Sequence, residues 1–572
     1  MKSRNSAADT RGNTRDRSAS QRAPAGQAGR TARTDVLVVG GGPVGLSLGL
    51  DLARRDVDFL LLEAGDGRID HPRVGTVGPR SMELFRRWGT AGRIRSVPWP
   101  ADHSLDVAWV TAVGGHEIHR LRFGTAATRA VPDFTPEPEQ ICPQHWLHPL
   151  LIDALGTAPD GPVRLGWRLT GLAQHDDGIL ATVLDQHTGD TVTVEAAYLA
   201  ACDGAGSPVR TACGVRTIAH HPTRTFRNIL FRAPGLRARL GPDEPLVFFL
   251  TTATRLRYPL RAMDGDALYR LTVSGEHDTG TPPEEFVRAA LAVDTPFTVL
   301  SDAPWHLTQR VAERYRHGRV LLAGDAAHSV SPSGGLGMNS GIADAADLGW
   351  KLAAVLAGWA GEHLLDTYET ERKPVAEASL RASQENLARE SRRHMPPEIA
   401  DDTPEGARAR ATRPARLEAL DVRREFDAPE GPFAYRYRSH TVVPAPAEEK
   451  TEHWADSPLP GGRAPHAWLG PGRSTLDLFG PGFTLLCAAG AARDAEPLRR
   501  AVAARAVPLA VTELHDERAT RIYRWPHVLV RPDGHVAWRG TGPPPDPGAL
   551  ADRVRGAAPR DPERTGKAGA TR

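Results

Sequence analysis

The feature that most limits how this chain can fold is a glycine-rich turn placed directly after a short apolar run. Residues 35–39 form a run of strand length, and Gly40-x-Gly42-x-x-Gly45 follows without a break. A leucine-rich segment comes next, and a second apolar run, residues 59–62, ends at the acid Glu63. Apolar runs this short are typical of strands buried on both faces. We therefore expect a strand, a glycine turn, a helix, a second strand and an acid, which together begin a parallel sheet.

This order of elements predicts a dinucleotide site. Gly40 permits the tight turn, Gly42 lets the backbone approach a pyrophosphate, and Gly45 lets the helix pack on the strand. The N–H groups at the helix start favour an anion, and Glu63, about 20 residues on, is placed to bind a ribose hydroxyl. The flanking residues Pro43, Val44 and Ala64 belong to the same predicted site. The turn alone does not separate a nicotinamide dinucleotide from a flavin dinucleotide.

Composition excludes several classes of protein. The 572 residues carry 71 basic and 69 acidic side chains, and the first 33 residues are markedly basic, so the remainder is mildly acidic. We expect no nucleic-acid partner, and residues 1–33 and 561–572 are predicted to be disordered tails. No apolar stretch reaches the roughly 18 to 20 residues of a membrane span. The four cysteines lie far apart, which argues against a disulfide framework or a metal site and favours the cytoplasm.

The rest of the chain predicts two further groups of strands. Residues 182–194, the run around Phe248 and Phe249, and residues 267–273 suggest an antiparallel sheet with one face against a site. A buried strand returns at residues 320–323, with a helix from about Gly341. The last unit has predicted strands at residues 483–487, 506–511 and 528–530, and a hairpin turn at residues 532–534.

Two later clusters carry a resemblance to a known family. The first is Cys202-Asp203-Gly204-Ala-Gly-Ser-Pro-Val-Arg210, and the second runs from Gly318 through Gly324-Asp325-Ala-Ala-His328 to Ser331-Pro332-Ser-Gly334-Gly-Leu-Gly337-Met338-Asn339-Ser-Gly341. At these residues the chain resembles the class A, single-component flavin-dependent aromatic hydroxylases of the para-hydroxybenzoate hydroxylase and phenol hydroxylase type. It is most similar to the branch that oxygenates polycyclic aromatic polyketides. The resemblance covers about residues 34–380 and the last hundred residues.

The resemblance implies an α/β protein with an FAD-binding Rossmann-like fold of the GR2 type. It also implies an inserted mixed or antiparallel substrate-domain sheet and a C-terminal thioredoxin-like α/β domain, here without a C-x-x-C pair. The expected ranges are 34–110, 140–220 and 310–380 for the FAD-binding domain, 111–139 and 221–309 for the substrate-binding domain, 381–457 for a helical or irregular linker, and 458–560 for the thioredoxin-like domain.

The family assigns most of these motif residues to the flavin. Gly324 and Asp325 would bind the ribityl chain, and the backbone N–H groups of Gly337, Met338 and Asn339 would lie near the pyrimidine edge. Pro332, with Gly334 after it, would shape the oxygen-reaction pocket. Asp203 and Gly204 would serve both FAD and the transient docking of NAD(P)H. Because no second complete G-x-G-x-x-G follows a buried strand, NAD(P)H is expected to visit and leave.

Three further residues match family positions with alternatives left open. Arg73 matches an arginine that approaches the FAD pyrophosphate, and Arg80 competes for that role. Gln144 falls where the family places a glutamine on the ribose or ribityl region, although His145 and Trp146 depart from the usual neighbours. His328 is a candidate catalytic group, with a packed structural histidine as the alternative.

Substrate contacts are expected from the middle sheet. Phe248, Phe249, Tyr258 and Tyr269 could form aromatic walls, with Arg257 or Arg255 near a phenolate, although aromatic residues on strands are often plain core.

The implied activity is an FAD-dependent monooxygenase that uses NAD(P)H and O2 to hydroxylate a phenolic or polycyclic aromatic substrate through a flavin C4a-hydroperoxide. Baeyer–Villiger oxygenation by the same flavin peroxide, a flavin-binding scaffold without turnover, and a nicotinamide dehydrogenase without flavin are the alternatives. A halogenase is disfavoured because Trp-x-Trp-x-Ile-Pro is absent. The protein is expected to be a monomer or homodimer without a membrane partner.

Overall fold

The computed structural model describes residues 31–73, 75–156, 161–219, 223–251, 259–274, 280–331, 334–391, 395–428, 430–444 and 453–557. Within them the strands are β1 Thr31–Val39, β2 Phe59–Glu63, β3 Thr76–Val77, β4 Val107–Val110, β5 Glu117–Leu121, β6 Gln140–Ile141, β7 Val163–Leu165, β8 Trp167–Gln174, β9 Ile179–Asp185, β10 Thr191–Ala201, β11 Thr217–Ala219, β12 Arg224–Arg232, β13 Val247–Leu250, β14 Pro259–Ala262, β15 Leu268–Ser274, β16 Thr298–Leu307, β17 Arg310–Ala312, β18 Arg316–His317, β19 Val320–Leu322, β20 His328–Ser329, β21 Trp468–Gly470, β22 Arg473–Ser474, β23 Phe483–Ala488, β24 Leu509–Leu514, β25 His527–Val530 and β26 Val536–Gly540.

The α-helices of the same residues are α1 Pro43–Ala53, α2 Pro79–Arg87, α3 Ala91–Arg95, α4 Gln144–Leu155, α5 Pro208–Ala212, α6 Leu236–Leu240, α7 Pro283–Ala290, α8 Leu336–Leu356, α9 His363–Ser391, α10 Pro404–Ala419, α11 Glu430–Phe433, α12 Glu496–Ala503, α13 Glu517–Ile522 and α14 Pro547–Val554. None of the helices in the described ranges is long and apolar enough to cross a membrane.

The first sheet has eight strands, with a parallel centre in the order β19-β10-β1-β2-β7. The two predicted apolar runs are its central strands: Val36, Leu37 and Val38 are fully buried. The register sets Val39 beside both Leu62 and Ala201, and Ala201 beside Leu322. The carboxyl ends of β1, β2, β10 and β19 therefore meet at one edge of the sheet.

A seven-stranded sheet forms the second layer, in the order β16-β12-β15-β14-β13-β4-β5. It is antiparallel except where β13 runs parallel to β4. One face, called here the inner face, carries Val107, Trp109, Val247, Phe249 and Arg261, because cross-strand partners share a face. The opposite face carries Phe248 and Tyr269 and packs on α7.

The C-terminal unit is a four-stranded sheet in the order β24-β23-β25-β26, with β23 and β24 parallel. Its β25–β26 hairpin turns at residues 532–534, as predicted, and the tip contacts the first sheet's helices. Arg55 and Arg87 both donate to the carbonyl of Pro532, at 3.3 and 3.0 Å. The unit is thus joined to the helices of the first sheet by partly buried polar contacts.

Four expectations differ from the structure. β1 begins at Thr31, inside the range 1–33 expected to be a disordered tail, because it pairs with β10 from Thr193 onward. Residues 182–194 belong to β9 and β10 of the first sheet rather than to the middle sheet. β4, expected in the FAD-binding range, lies in the seven-stranded sheet. Helix α8 starts at Leu336, five residues before the predicted start, with Gly335 in a left-handed conformation before it.

Candidate flavin site and adjoining substrate surface

Close packing explains the glycine turn after β1. Gly40 has φ +104°, and a Cβ there would overlap the carbonyl of Cys202, while a Cβ on Gly45 would overlap the carbonyl of Gly40. Gly42 is different, because a Cβ there would meet no atom within 4 Å. Helix α1 then starts at Pro43 with no side-chain cap on its first N–H groups. The turn leaves an open approach to backbone donors, which is what a pyrophosphate needs.

Glu63 closes the same turn from the end of β2. Its Oε2 accepts from the N–H of Gly41 at 2.8 Å, and its Oε1 accepts from the N–H of Gly65 at 2.6 Å. The carbonyl of Ala64, beside it, accepts from Gln186 at 2.5 Å. The carboxylate is therefore oriented by two backbone donors and retains lone pairs for further hydroxyl donors.

The motifs around Asp203 and Asp325 lie at the same carboxyl edge of the first sheet. Val44 fits against Gly324 and Gly341, since a Cβ on either glycine would press on its methyl groups. Arg210 donates to the carbonyl of Ala326 at 2.8 Å and to that of Ala205 at 2.9 Å. This guanidinium thus ties the segment after Asp203 to the turn that holds Asp325.

Asp325 is an accessible acid between two buried neighbours, Gly324 and Ala326. Protein surrounds it on most sides, and the resulting burial raises the pKa of its carboxyl against the opposing charges of His328 and Arg73. Asp203 accepts from the N–H of Val209 at 3.0 Å, and burial raises its pKa as well. Both acids retain acceptor oxygens at this edge.

Residues outside α8 hold the first turn of this helix through hydrogen bonds to the Asn339 side chain. Asn339 Oδ1 accepts from the N–H of Gly78 at 2.8 Å and from the hydroxyl of Ser81 at 2.7 Å. Its Nδ2 donates to the carbonyls of Gly335 and Thr76. The side chain of Asn339 therefore braces the helix, and only the backbone N–H groups of this turn, with those of Gly337 and Met338, remain candidates for flavin contacts.

The structure distinguishes the two arginines considered for the FAD pyrophosphate, Arg73 and Arg80. The backbone N–H of Arg73 donates to Gln144 Oε1 at 3.3 Å, and the Arg73 side chain is exposed. Arg80 is buried, forms an ion pair with Glu83 at 2.9 Å and donates to the carbonyl of Asp533. Arg80 thus belongs to the contact with the C-terminal hairpin, and Arg73 remains beside Gln144.

The structure places His328 in a packed, hydrogen-bonded position, so the structural alternative fits better than the catalytic role also considered for it. Its side chain is fully buried, and Nε2 lies 2.7 Å from Asp344 Oδ2. Gly334 has φ +88° and approaches Asn386. Pro332 lies outside the described residues, as do Arg255, Arg257 and Tyr258.

The aromatic residues predicted to contact substrate lie on two different faces of the seven-stranded sheet. Phe249 stacks on Trp109 on the inner face, with ring centroids 5.2 Å apart, and the edge of Phe426 packs on both. Phe248 and Tyr269 lie on the opposite face in the core with α7, so they cannot line this surface. The error arises because adjacent strand residues point to opposite faces.

Two functional candidates were missed by the sequence argument. Arg261 and Arg270 are direct cross-strand partners on the inner face. Burial lowers the pKa of each to about 10, and for Arg270 the neighbouring Arg261 adds to the effect. Among the described residues neither forms an ion pair, and each Nε is buried without a hydrogen-bond partner. In the sequence, each arginine interrupts the apolar alternation of its strand, and this interruption is the signal that could have identified the two residues.

These arginines adjoin the α8 turn. Arg261 Nη2 donates to Thr76 Oγ1 at 2.7 Å, and Asn339 donates to the carbonyl of the same threonine. Arg270 donates to the carbonyls of Pro72 and Arg73, at 2.9 and 2.6 Å. Pro72, Arg73 and Thr76 therefore lie between the carboxyl edge of the first sheet and the inner face of the second.

Comparison with known proteins identifies this arrangement. Residues 33–383 match the family described as FAD binding domain, and residues 457–558 match the aromatic-ring hydroxylase C-terminal family. The chain belongs to the FAD-dependent aromatic-ring hydroxylases. It is 34% identical to the tetracenomycin B2 monooxygenase-dioxygenase of Streptomyces olivaceus over 91% of this chain and 97% of that protein.

Solved structures of two similar proteins support the fold. The rebeccamycin biosynthetic enzyme RebC, soaked with chromopyrrolic acid and holding 7-carboxy-K252c, is 55% identical with a TM-score of 0.88, covering 92% of this chain and 100% of RebC. Aklavinone-11 hydroxylase in a ternary complex with FAD and aklavinone is 30% identical with a TM-score of 0.74, covering 91% and 98%. This chain is accordingly an FAD-dependent monooxygenase.

The residues at the sheet edge fit FAD. The open Gly42 turn at the start of α1 suits a pyrophosphate, and the Glu63 carboxylate beside it offers acceptors that suit a ribose hydroxyl. The accessible Asp325 offers acceptors for ribityl hydroxyls, and the uncapped start of α8 offers N–H groups for an anionic ring edge.

Proposed function

We propose that this enzyme hydroxylates an electron-rich ring of a planar polycyclic aromatic compound that carries a carboxylate, using NAD(P)H and O2. The observation that carries the proposal is the pair of partly buried arginines, Arg261 and Arg270, on the same sheet face as the stacked rings of Trp109 and Phe249. A cation pair with no carboxylate partner among the described residues favours an anionic ligand, and flat aromatic side chains favour a flat ligand.

Charge supports an anionic substrate. Two guanidinium groups on neighbouring strands repel one another, and both retain their charge at neutral pH because their pKa values lie near 10. A carboxylate placed against them would remove that repulsion and satisfy the unpartnered Nε groups. The 55% identical RebC holds 7-carboxy-K252c, a compound whose name includes a carboxyl group, which agrees with this chemistry.

The chain's own residues then orient and shield the substrate. Trp109, Phe249 and Phe426 present an apolar wall, and the segment around α10 covers the same face of the sheet. Apolar cover excludes water from the reacting ring. Bound FAD, reduced by NAD(P)H, supplies the oxygen-transfer chemistry. Arg73, Gln144 and Asp325 would hold FAD at the carboxyl edge of the first sheet, and the α8 N-terminus favours negative charge there.

The experiment compares a polycyclic aromatic acid with its methyl ester on the holoenzyme. NAD(P)H consumption and incorporation of oxygen from 18O2 are measured for the wild type, Arg261→Met and Arg270→Met. We expect each substitution to raise KM for the acid at least tenfold while changing KM for the ester less than twofold. Arg227→Met is the matched control, since Arg227 pairs with Asp302 and lies over Phe286 of α7.

Equal effects on acid and ester would overturn the carboxylate role. Oxygen inserted into a ring bond, rather than a new hydroxyl, would replace hydroxylation with Baeyer–Villiger chemistry. NAD(P)H consumption that is never stimulated by any polycyclic aromatic compound would overturn the proposed activity itself.

A further inference from the structure

A buried carboxylate on α8 holds the turn that carries Asp325. Asp344 has no exposed surface, and its Oδ2 accepts from the backbone N–H of Gly324 at 3.1 Å and from His328 Nε2 at 2.7 Å. These two donors flank Asp325 on its N-terminal and C-terminal sides. One carboxylate oxygen thus fixes both ends of the Gly324–His328 segment.

Arg372 of α9 holds the other oxygen of the same carboxylate. Its Nε donates to Asp344 Oδ1 at 2.7 Å, and its Nη2 donates to the carbonyl of Ser340 in α8 at 3.1 Å. Its Nη1 donates to the hydroxyl of Tyr437 at 3.1 Å. Arg372 therefore contacts α8 at two places, the Ser340 carbonyl near the start of the helix and the Asp344 side chain.

The neighbours of the Asp344 carboxylate fix its charge state. Burial alone would raise the pKa of Asp344, but His328 and Arg372 outweigh burial and the pKa is lowered. The carboxylate is ionised and accepts hydrogen bonds at both oxygens. His328 turns Nε2 toward Asp344, and its Nδ1 is buried without a hydrogen-bond partner in the described part of the chain.

We propose that Asp344, oriented by Arg372, is a positioning residue for FAD that acts by holding Asp325 at the carboxyl edge of the first sheet. The inference rests on the assignment of Asp325 to FAD in the proposed function. Nothing in the contacts of Asp344 reaches the substrate face, so its effect is on the cofactor. The loss of one charged acceptor would free the Gly324–His328 segment without opening the glycine turn after β1.

The test uses Asp344→Asn and measures FAD affinity by titrating the deflavinated protein, together with the midpoint potential of the reconstituted flavin. An asparagine has one acceptor oxygen, so its NH2 group must face either Arg372 Nε or the Gly324 and His328 donors, and the contacts on that side are lost. We expect the Kd for FAD to rise at least tenfold and the midpoint potential to shift. Arg372→Lys keeps the charge but cannot reach both Asp344 and Ser340, and we expect a smaller rise in the same direction.

Asp347→Asn is the matched control. Asp347 lies one turn further along α8, is equally buried, and binds Lys351 at 2.7 Å and Arg531 at 2.9 Å rather than the Asp325 turn. We expect its Kd for FAD to stay within twofold of wild type, whatever stability it loses in urea. Equal rises in Kd for Asp344→Asn and Asp347→Asn would show a merely structural role and overturn the inference.

A double-mutant cycle with Asp325→Ala separates the inference from its premise. If Asp344 acts through Asp325, then Asp344→Asn will change the Kd little once Asp325 is alanine. Full additivity would overturn the inference. An unchanged Kd in Asp325→Ala alone would instead show that the assignment of Asp325 to FAD is wrong. Should Asp344→Asn not fold, Arg372→Lys in the same cycle decides by the same criterion.

Discussion

Trp109 and Phe249 stack on the inner face of the seven-stranded sheet, with ring centroids 5.2 Å and ring planes 13° apart. They come from β4 and β13, the one parallel pair in that sheet. The neighbouring residue Phe248 points to the other face and is 3% exposed in the core with α7. Two adjacent phenylalanines therefore serve different parts of the protein.

Substitution of the two phenylalanines should separate substrate binding from stability. Phe249→Ala should raise KM and lower the ratio of hydroxylated product to NAD(P)H consumed, because the aromatic wall is opened, while FAD content stays intact. Phe248→Ala should cost about 3 to 5 kcal/mol of unfolding free energy, because it leaves a core cavity, with KM little changed in the folded fraction. Steady-state kinetics and urea unfolding measure the two effects. Loss of flavin in Phe249→Ala would show that this residue supports the cofactor instead.

Substitution of the glycines in the turn after β1 should also separate cofactor binding from stability. Gly42→Ala has room for the new methyl group, so its unfolding free energy without FAD should stay within about 0.5 kcal/mol of wild type. Its Kd for FAD should rise, since the methyl group lies where the pyrophosphate approaches. Gly45→Ala has no room beside the Gly40 carbonyl and should fail to fold or lose several kcal/mol. Urea unfolding and FAD titration check both, and similar stability losses would contradict the expected split.

Much of the first sheet could be predicted because its information is local. Residues 35–39, the glycine turn and Glu63 lie in one short stretch, and β1, α1 and β2 appear where the pattern placed them. The last strands and the hairpin turn at residues 532–534 were equally local. The expected order of the domains came from the family resemblance.

The cross-strand and inter-helix contacts could not be predicted. Arg261 and Arg270 become neighbours only through the register of β14 and β15, which no spacing in the sequence reveals. Likewise, Asp344 meets His328 and Arg372 because α8 and α9 pack beside the Asp325 turn. The alternation of residues 182–194 grouped them with the middle strands, although the expected FAD-binding range 140–220 includes them, because alternation gives the faces of a strand and not its partner.

The tip of the C-terminal hairpin should contribute to the stability of the whole chain. Gly534 has φ +86°, and a Cβ there would overlap the guanidinium of Arg87, which donates to the Pro532 carbonyl. Gly534→Ala should therefore lower the unfolding free energy by about 1 to 3 kcal/mol. Gly542→Ala is the control, since a Cβ there meets nothing within 4 Å. Equal unfolding midpoints in urea for the two variants would contradict the role of this contact.

Two buried histidines of the C-terminal unit should make its stability depend on pH. Burial lowers the pKa of His535 to about 4 and that of His466 to about 4. In the unfolded chain a histidine titrates near 6.5, so below about pH 6.5 the unfolded state binds the proton first. Each histidine should then remove roughly 3 kcal/mol of stability as the pH falls from about 6.5 to 4, and none above that window.

The contribution of His535 can be isolated by difference. His535→Gln removes the titrating group, so the difference in unfolding free energy between wild type and variant should shrink as the pH falls from 7.5 to 4.5. Urea unfolding followed by tryptophan fluorescence at several pH values measures that difference. His515→Gln is the control, because His515 is 71% exposed and its unfolding free energy should follow the wild-type pH profile. A pH-independent difference for His535→Gln would mean that His535 titrates alike in the folded and unfolded states, so that burial does not hold it neutral.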